Sequence, residues 1–234
     1  MQNHAVVNHR SAELIHSFVA NCERKRYAAK AAIIVQGDVS RHLFFIIKGA
    51  ATFRLRTPSG RDLVLAVSHA GEFFGEAGLF ETDAVSNWSV RAKSACEIAR
   101  ISHVRLHANP ALLADLLPLL APQLAMRLDG LHRKTAEMAF YDTHTRVTSA
   151  LRDLARAPDA HPHPDGIAIS VTRTELGAMT GASREAVGRV LIRMQQQGTL
   201  RAKGRAMVVL KAGACGARDV PIRAWGESAA AAMR

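Results

Sequence analysis

The sequence contains little cysteine. Its three cysteines, Cys22, Cys96 and Cys215, lie far apart, and none belongs to a Cys-x-x-Cys pair or to a Cys/His pair at metal-ligand spacing. We therefore expect no metal site, neither structural zinc nor an iron–sulfur cluster. Separated cysteines in odd number are typical of free thiols in a reducing compartment, which predicts a cytoplasmic protein.

Long apolar runs and enzyme signatures are also missing. No apolar run reaches the roughly 18 residues that cross a bilayer, which argues against a membrane partner. The sequence contains no G-x-S-x-G, H-E-x-x-H or Walker A pattern, and the segment from Gly75 to Gly78 is too short for a dinucleotide-binding fingerprint. We therefore expect a protein that is not an enzyme.

Acidic residues are in deficit. The chain of 234 residues has 31 lysines and arginines against 20 aspartates and glutamates, which gives a formal charge of +11. A surplus of that size favours a polyanionic partner such as double-stranded DNA, bound in a salt-sensitive way. Charge alone does not exclude a merely soluble basic protein.

The first half of the chain predicts a β-roll. Short apolar runs follow one another between turn signals such as Gly37-Asp38, Lys48-Gly49 and Ser59-Gly60. Many short strands at regular spacing are typical of a jelly roll or barrel. The predicted strands cover residues 32–35, 43–47, 51–55, 63–67, 89–92 and 95–101, after a short helix over 12–22.

A helical segment with leucine at heptad spacing follows. The pattern predicts a regular helix from near Pro118, distorted at Pro122, that pairs with a second copy of the chain as a parallel coiled coil. The alternative is an amphipathic helix packed on its own domain. The predicted dimer seam consists of Leu117, Leu124, Leu128, Leu131 and Met138.

The last third of the chain contains a helix-turn-helix pattern. Two helical segments flank the glycine turn at Gly181, and the second begins with Ser183, Arg184 and Glu185. Serine is a good N-cap, arginine can bond guanine O6 and N7 together, and glutamate can accept from cytosine N4. Arg189 follows on the same side of the helix. The pattern predicts a recognition helix that reads the DNA major groove.

Flanking segments complete a predicted winged helix. A helix is expected over 141–154, a strand over 167–171 and a wing hairpin over 200–210, while residues 157–166 are expected to form an exposed loop without regular structure. The fold class is therefore α+β. The predicted domains are an N-terminal helical segment (1–26), an effector-binding β-roll (27–112), a dimerisation helix and hinge (113–140), a winged helix-turn-helix (141–212) and a disordered tail (213–234).

This order of elements resembles the Crp–Fnr family of bacterial transcription regulators. The resemblance covers about residues 30–212 and implies a cyclic-nucleotide-binding β-roll, a homodimer and a DNA-reading helix. It rests on Leu43-Phe44-Phe45-Ile46-Ile47-Lys48-Gly49 in the β-roll, on Phe74-Gly75-Glu76-Ala77-Gly78-Leu79-Phe80 as the phosphate-binding cassette, and on Ser183-Arg184-Glu185 with Val187-Gly188-Arg189 in the DNA-binding motif.

The resemblance implies roles for individual residues. Arg184, Glu185 and Arg189 would read bases in a palindrome like TGTGA-N6-TCACA. Contacts to DNA phosphates are implied for Thr172, Ser183, Lys203 and Gly204. Residues 158–166 match the loop by which the family contacts RNA polymerase, which implies an activator. The matching contact positions are Ala160, His161, Pro162, His163 and Gly166.

The effector cassette departs from the family pattern. Members that respond to cyclic AMP end the cassette in an Arg-Ser pair, and its arginine neutralises the cyclic phosphate. Counting without a gap places Ser86 and Asn87 at those positions, while Gly75 and Glu76 remain. A buried phosphate needs a paired charge or several strong donors, so cyclic AMP is a doubtful effector.

The nucleobase side of the effector site departs as well, because Leu131 and His132 replace the family's adenine-contacting Thr-Ser pair. Three interpretations stay open. The site binds another ligand, such as a cyclic dinucleotide or an uncharged metabolite; it is empty and leaves the protein permanently competent for DNA; or it binds cyclic AMP weakly in a changed pose. A conventional cyclic-AMP-dependent regulator and a ligand-binding or oligomerisation module without DNA function are the alternatives.

Overall fold

The computed structural model describes residues 9–81 and 83–210, and it divides into two compact units between Phe140 and Tyr141. The tail predicted over residues 213–234 lies outside the described residues. The elements of the first unit are α1 (His9–Ala20), β1 (Glu23–Tyr27), β2 (Ala32–Ile34), β3 (His42–Lys48), β4 (Ala50–Arg56), β5 (Asp62–His69), β6 (Phe73–Phe74), α2 (Ala77–Phe80), β7 (Ser89–Ala92), β8 (Cys96–Ser102), α3 (His103–His107) and α4 (Pro110–Phe140).

The strands of the first unit form two antiparallel sheets, in the orders β1-β8-β3-β6 and β2-β7-β4-β5. β3 is apolar along most of its length because both of its faces are buried. On one face Phe45 packs with Phe18 of α1 and with α4, and on the other Phe44 stacks on Phe74 with ring centroids 4.8 Å apart. This sheet therefore lies between the helices and the second sheet.

The sequence predicted neither β1 nor β6. β1 reads Glu-Arg-Lys-Arg-Tyr and pairs only with β8 at the edge of its sheet, so four of its five residues are exposed and no apolar alternation marks it. β6 has two residues, too few for a periodic signal. The boundary predicted between residues 26 and 27 therefore falls inside a strand.

The predicted start of the central helix was wrong. α4 begins at Pro110, before the predicted 112/113 domain boundary, and it contains both Pro118 and Pro122. Each proline removes one helical hydrogen bond. Both prolines are exposed, so water can reach the carbonyls they leave unbonded, and the buried Leu112, Leu116 and Leu120 anchor the same turns in the core.

By length and composition α4 is apolar enough to cross a membrane. Its leucines instead divide between two environments. Leu112, Leu116 and Leu120 are buried in the core of the first unit, whereas Leu117 and Leu128 are exposed. The apolar composition of α4 therefore serves a core face and a second, uncovered face.

The second unit combines three helices with a small sheet in its described residues. The elements are α5 (Thr143–Arg156), β9 (His161–His163), β10 (Gly166–Ser170), α6 (Arg173–Thr180), α7 (Arg184–Gln196), β11 (Leu200–Lys203) and β12 (Ala206–Leu210). The sheet order is β11-β12-β10-β9, and β11 and β12 form the hairpin that the sequence predicted. Val147, Leu151, Leu176, Val187 and Leu191 form the centre of the core.

The loop predicted over residues 157–166 is partly regular. His161, Pro162 and His163 form β9, which pairs with β10 at the edge of the sheet. Proline is compatible with an edge strand because its missing N–H can face solvent. The two prolines around His163 therefore do not prevent strand pairing, contrary to the prediction.

Candidate functional site

Helix α6 is fixed at its start by a capping box. The Thr172 hydroxyl accepts from the Glu175 backbone N–H at 3.1 Å, and the Glu175 carboxylate accepts from the Thr172 backbone N–H at 2.7 Å. The same hydroxyl donates to Glu175 Oε2 at 2.8 Å. Thr172, which the family resemblance implied as a phosphate contact, therefore acts as the N-cap of α6.

The turn between α6 and α7 requires two glycines. Gly181 ends α6 in the left-handed conformation, with φ of +66°. A Cβ atom at Gly177 would lie 2.6 Å from the Ala182 carbonyl oxygen, so the turn folds back directly onto α6. The sequence marked Gly181; the need for Gly177 comes from a close approach that no local pattern shows.

Helix α7 separates a core face from an exposed face. Ser183 is its N-cap, and the Ser183 hydroxyl accepts from the Ala186 N–H at 3.2 Å. The side chains of Arg184, Glu185 and Arg189 are exposed. The core face consists of Val187, Val190, Leu191 and Met194. The three predicted base readers are therefore presented together, away from the core.

The charges on this face suit hydrogen bonding to base edges. Hydrogen bonds from its own backbone N–H and from the Ser183 hydroxyl lower the pKa of Glu185, and Arg184 and Arg189 lower it further. Glu185 is therefore an ionised acceptor at neutral pH. Within the described part of the second unit, neither Arg184 nor Arg189 forms an ion pair, so their guanidinium groups can donate to a ligand.

Two further basic residues flank the exposed face, and neither was assigned a DNA contact from the sequence. Arg173 opens α6 next to α7, since a Cβ atom at Gly188 would lie 3.9 Å from Arg173 Nη1. Arg205 lies in the wing, with Nη2 3.9 Å from Glu175 Oε1. Lys203 and Gly204 are exposed at the same wing turn, where Gly204 has φ of +65°. The available signal was an arginine directly after the N-cap Thr172 and another directly after the wing glycine Gly204.

Of the residues matched to the polymerase-contacting loop, Ala160 directly precedes β9 and the others lie in the β9–β10 hairpin. His161 and Pro162 are exposed, while Ala160 and His163 are half-buried. Gly166 is buried, and a Cβ atom there would lie 2.0 Å from the Val209 carbonyl oxygen, so Gly166 serves packing. Asp165 holds the hairpin through Arg201 of β11, at 2.5 Å.

A second candidate site is a cavity of about 50 Å³ in the first unit. Four predicted effector residues, Gly75, Glu76, Ser86 and Asn87, line it together, whereas Leu131 and His132 do not. The remaining lining residues are Ile34, Ser40, Phe53, Ala77, Val85 and Trp88. The cavity is therefore mostly apolar, and Glu76 is the ionisable side chain among its lining residues.

Arg127 of α4 supplies a cation beside this cavity, a role that the sequence argument did not assign. Its Nη1 lies 2.9 Å from Glu76 Oε1, and its Nη2 donates to the Phe73 carbonyl at 2.5 Å. Its guanidinium also stands 5.5 Å from the centre of the Phe53 ring. Arg127 therefore forms an ion pair with Glu76.

Ser86 is unavailable as a phosphate donor in this arrangement. It is buried, and its hydroxyl donates to the Trp88 carbonyl at 2.7 Å. Asn87 is exposed. Gly75 has φ of +84°, and a Cβ atom there would lie 2.5 Å from the His42 carbonyl oxygen, so this position requires glycine.

Helix α4 is fastened to the β-roll by polar contacts on one face and leaves an apolar face exposed. Gln123 accepts from the Phe73 N–H at 2.9 Å and donates to the Gly71 carbonyl at 3.1 Å. Lys134 donates to the Val64 carbonyl. Of the predicted seam residues, Leu117 and Leu128 are exposed, and Leu124, Leu131 and Met138 are half-buried.

Two family models match this chain. The model described as a cyclic nucleotide-binding domain matches residues 24–108, and the one described as a Crp-like helix-turn-helix domain matches residues 145–214. Together they cover the cavity and the α6–α7 face.

Individual relatives are similar over most of their length. The cAMP-activated global transcriptional regulator Vfr of Pseudomonas aeruginosa is 43% identical over 199 residues, which cover 83% of this chain and 92% of Vfr. The cAMP-activated global transcriptional regulator CRP of Escherichia coli O157:H7 is 37% identical over 192 residues, covering 82% and 91%. The solved structure of the c-di-GMP responsive global regulator CLP of Xanthomonas campestris is 34% identical, with a TM-score of 0.79 over 85% of this chain and 99% of CLP.

Proposed function

The chain belongs to the Crp–Fnr family of DNA-binding transcription regulators, and we propose that it reads a palindrome like TGTGA-N6-TCACA as a homodimer. The observation that carries this proposal is the exposed face of α7, where Arg184, Glu185 and Arg189 are presented beside a serine N-cap. Arginine pairs with guanine and glutamate with cytosine, which suits the G·C pairs of TGTGA.

Dimerisation rests on the uncovered face of α4. Leu128 is 54% exposed and Leu117 41%, and both lie on the predicted seam. Apolar side chains at heptad spacing favour pairing with the same helix of a second copy. A two-fold symmetric dimer would also match a palindromic site, since each recognition helix would meet one half-site.

The effector pocket does not hold cyclic AMP in the family's usual way. The support is chemical: the Ser86 hydroxyl is bonded to the Trp88 carbonyl, and the charge of Arg127 is committed to Glu76. A cyclic phosphate would therefore have to displace an internal hydrogen bond or ion pair before it found a strong donor. Relatives named for cAMP and for c-di-GMP make these two nucleotides the ligands to test.

Contact with RNA polymerase, and hence activation, is a further part of the proposal. It rests on the exposed His161 and Pro162 of the edge strand β9. A regulator that reads bacterial DNA and contacts polymerase works in the cytoplasm, which is the compartment we propose.

Fluorescence anisotropy tests the proposal with a labelled TGTGA-N6-TCACA duplex and a scrambled duplex of the same composition. We expect tight binding to the palindrome and not to the scrambled duplex. The logarithm of the association constant should fall by about 0.9 for each tenfold rise in salt concentration and for each phosphate contact. Equal affinity for both duplexes would contradict base reading. Cyclic AMP and cyclic di-GMP are added separately; binding that requires cyclic AMP would contradict the assignment of the pocket.

A further inference from the structure

The ring of His103 joins two separate segments around the effector cassette. His103 is 5% exposed, at the start of α3. Its Nδ1 lies 3.1 Å from the Ser40 carbonyl oxygen, and its Nε2 lies 3.0 Å from the Gly75 carbonyl oxygen. Gly75 immediately precedes Glu76 in the cassette, so this ring fixes the backbone from which the Glu76 side chain reaches Arg127.

The surrounding backbone is shaped to this ring. A Cβ atom at Gly78 would lie 2.7 Å from His103 Nδ1 and 2.0 Å from the Ser40 carbonyl oxygen, so only glycine fits there. The Ser40 hydroxyl spans the same gap, donating to the Gly75 carbonyl and accepting from the Gly78 N–H, both at 3.4 Å. His103 therefore sits in a tight junction of three chain segments.

The chemistry of this junction depends on protonation. A carbonyl oxygen only accepts hydrogen bonds, and a neutral imidazole has a single N–H. The neutral ring can therefore bond one of the two carbonyls, and its other nitrogen then points a lone pair at an oxygen about one hydrogen-bond length away. The imidazolium, with two N–H groups, bonds both.

We propose that His103 is the positioning residue of the effector cassette, and that uptake of a proton by its ring changes how the Gly75 carbonyl is held. The proposal deepens the effector part of the proposed function and rests on the same cavity. The test of His103 does not involve DNA binding, so a negative result there would leave the proposed reading of DNA unaffected.

The other titratable and charged groups around the ring are few in the described residues. Burial lowers the pKa of His103 most, the hydrogen bonds to the Gly75 and Ser40 carbonyls oppose this, and His42 on β3 and His107 on α3 lower the pKa further. The Glu76 carboxylate is held by Arg127, and the neighbouring Arg41 and Arg105 are exposed. The pKa of the His103 ring is therefore expected to lie below the ordinary histidine value of about 6.5.

Trp88 provides the reporter because it lines the cavity together with Ser40, Gly75 and Glu76. The sequence has two tryptophans, so Trp225→Phe leaves Trp88 as the only one. The emission of Trp88 in the full-length Trp225→Phe protein is recorded between about pH 5 and pH 8. We expect one step in emission with a midpoint below about 6.5.

Substitutions assign the step. His103→Gln keeps an amide donor toward Gly75 but does not titrate in this range, so the step should disappear; His42→Gln and His107→Gln should keep it. No step in the Trp225→Phe protein, or a step that persists in His103→Gln, would overturn the proposal.

Nitrogen-15 NMR of the histidine-labelled, unmutated chain gives a second reading that does not depend on a variant folding. One ring should carry a single N–H at neutral pH and two slowly exchanging N–H groups at acid pH, because both are shielded by carbonyls. A spectrum without such a ring would also overturn the proposal.

Discussion

Arg127 of the central helix and Glu76 of the effector cassette form an ion pair, with Nη1 2.9 Å from Oε1 and each side chain less than one-fifth exposed. The pair ties the element proposed to join the subunits directly to the element proposed to bind an effector. A ligand that engages Glu76 or Arg127 would change how α4 is held against the β-roll, which is a physical route from pocket to dimer.

Replacing Arg127 by methionine should destabilise the first unit. The substitution leaves the Glu76 carboxylate and the Phe73 carbonyl without their donor, at a cost of about 1–3 kcal/mol in the free energy of unfolding. Urea denaturation measures it. The Glu76→Gln, Arg127→Met double variant should recover part of the loss, because the unpaired charge is gone. A double variant less stable than Arg127→Met would contradict the pairing.

Replacing Arg184 by alanine should weaken palindrome binding by about 1–3 kcal/mol and relax discrimination at one guanine. The reason is that one guanidinium donates to both acceptors of a guanine edge. Anisotropy titrations against duplexes with each base at each position measure the effect. Gln195→Ala, at an exposed position near the other end of α7, is the matched control. Unchanged discrimination in Arg184→Ala would remove this residue from the readers.

Replacing Gly177 by alanine should destabilise the helix-turn-helix by about 1–3 kcal/mol. The added methyl would meet the Ala182 carbonyl oxygen at 2.6 Å, so the turn must move. Gly130→Ala in α4 is the control, since nothing lies within 4 Å of its Cβ position. That helical position should gain up to about 1 kcal/mol. Thermal unfolding checks both, and equal effects of the two substitutions would refute the close approach.

Replacing Leu128 by glutamate should disrupt the dimer. The charge would stand in the middle of the proposed seam, and we expect a loss of roughly 2 kcal/mol or more in association free energy. Sedimentation velocity over a range of concentrations measures it. Val104→Glu, at an 80% exposed apolar residue on α3, is the control. If both variants sediment as the unmutated chain does, Leu128 does not lie in a dimer seam.

Local patterns predicted the parts of the fold that depend on neighbouring residues. Short-range periodicity predicted six strands of the first unit, namely β2, β3, β4, β5, β7 and β8. Turn and capping chemistry predicted the N-cap at Ser183, the glycine turn at Gly181 and the wing. Three of the errors share one physical cause. β1, β9 and the N-terminal part of α4 depend on a sheet edge or on core leucines, and such tertiary contacts override weak local propensity.

The amino-acid sequence by itself determined most strands of the β-roll, the exposed face of α7 that carries Arg184, Glu185 and Arg189, and the presence of Ser86 and Asn87 shortly after Gly75-Glu76. Only the tertiary structure decided where the charges and donors of the pocket go. Arg127 meets Glu76 across 51 residues, Ser86 turns its hydroxyl to the Trp88 carbonyl, and His103 lies between Ser40 and Gly75. Periodicity is set by each helix or strand alone, whereas the partners of a side chain are set by how those elements pack.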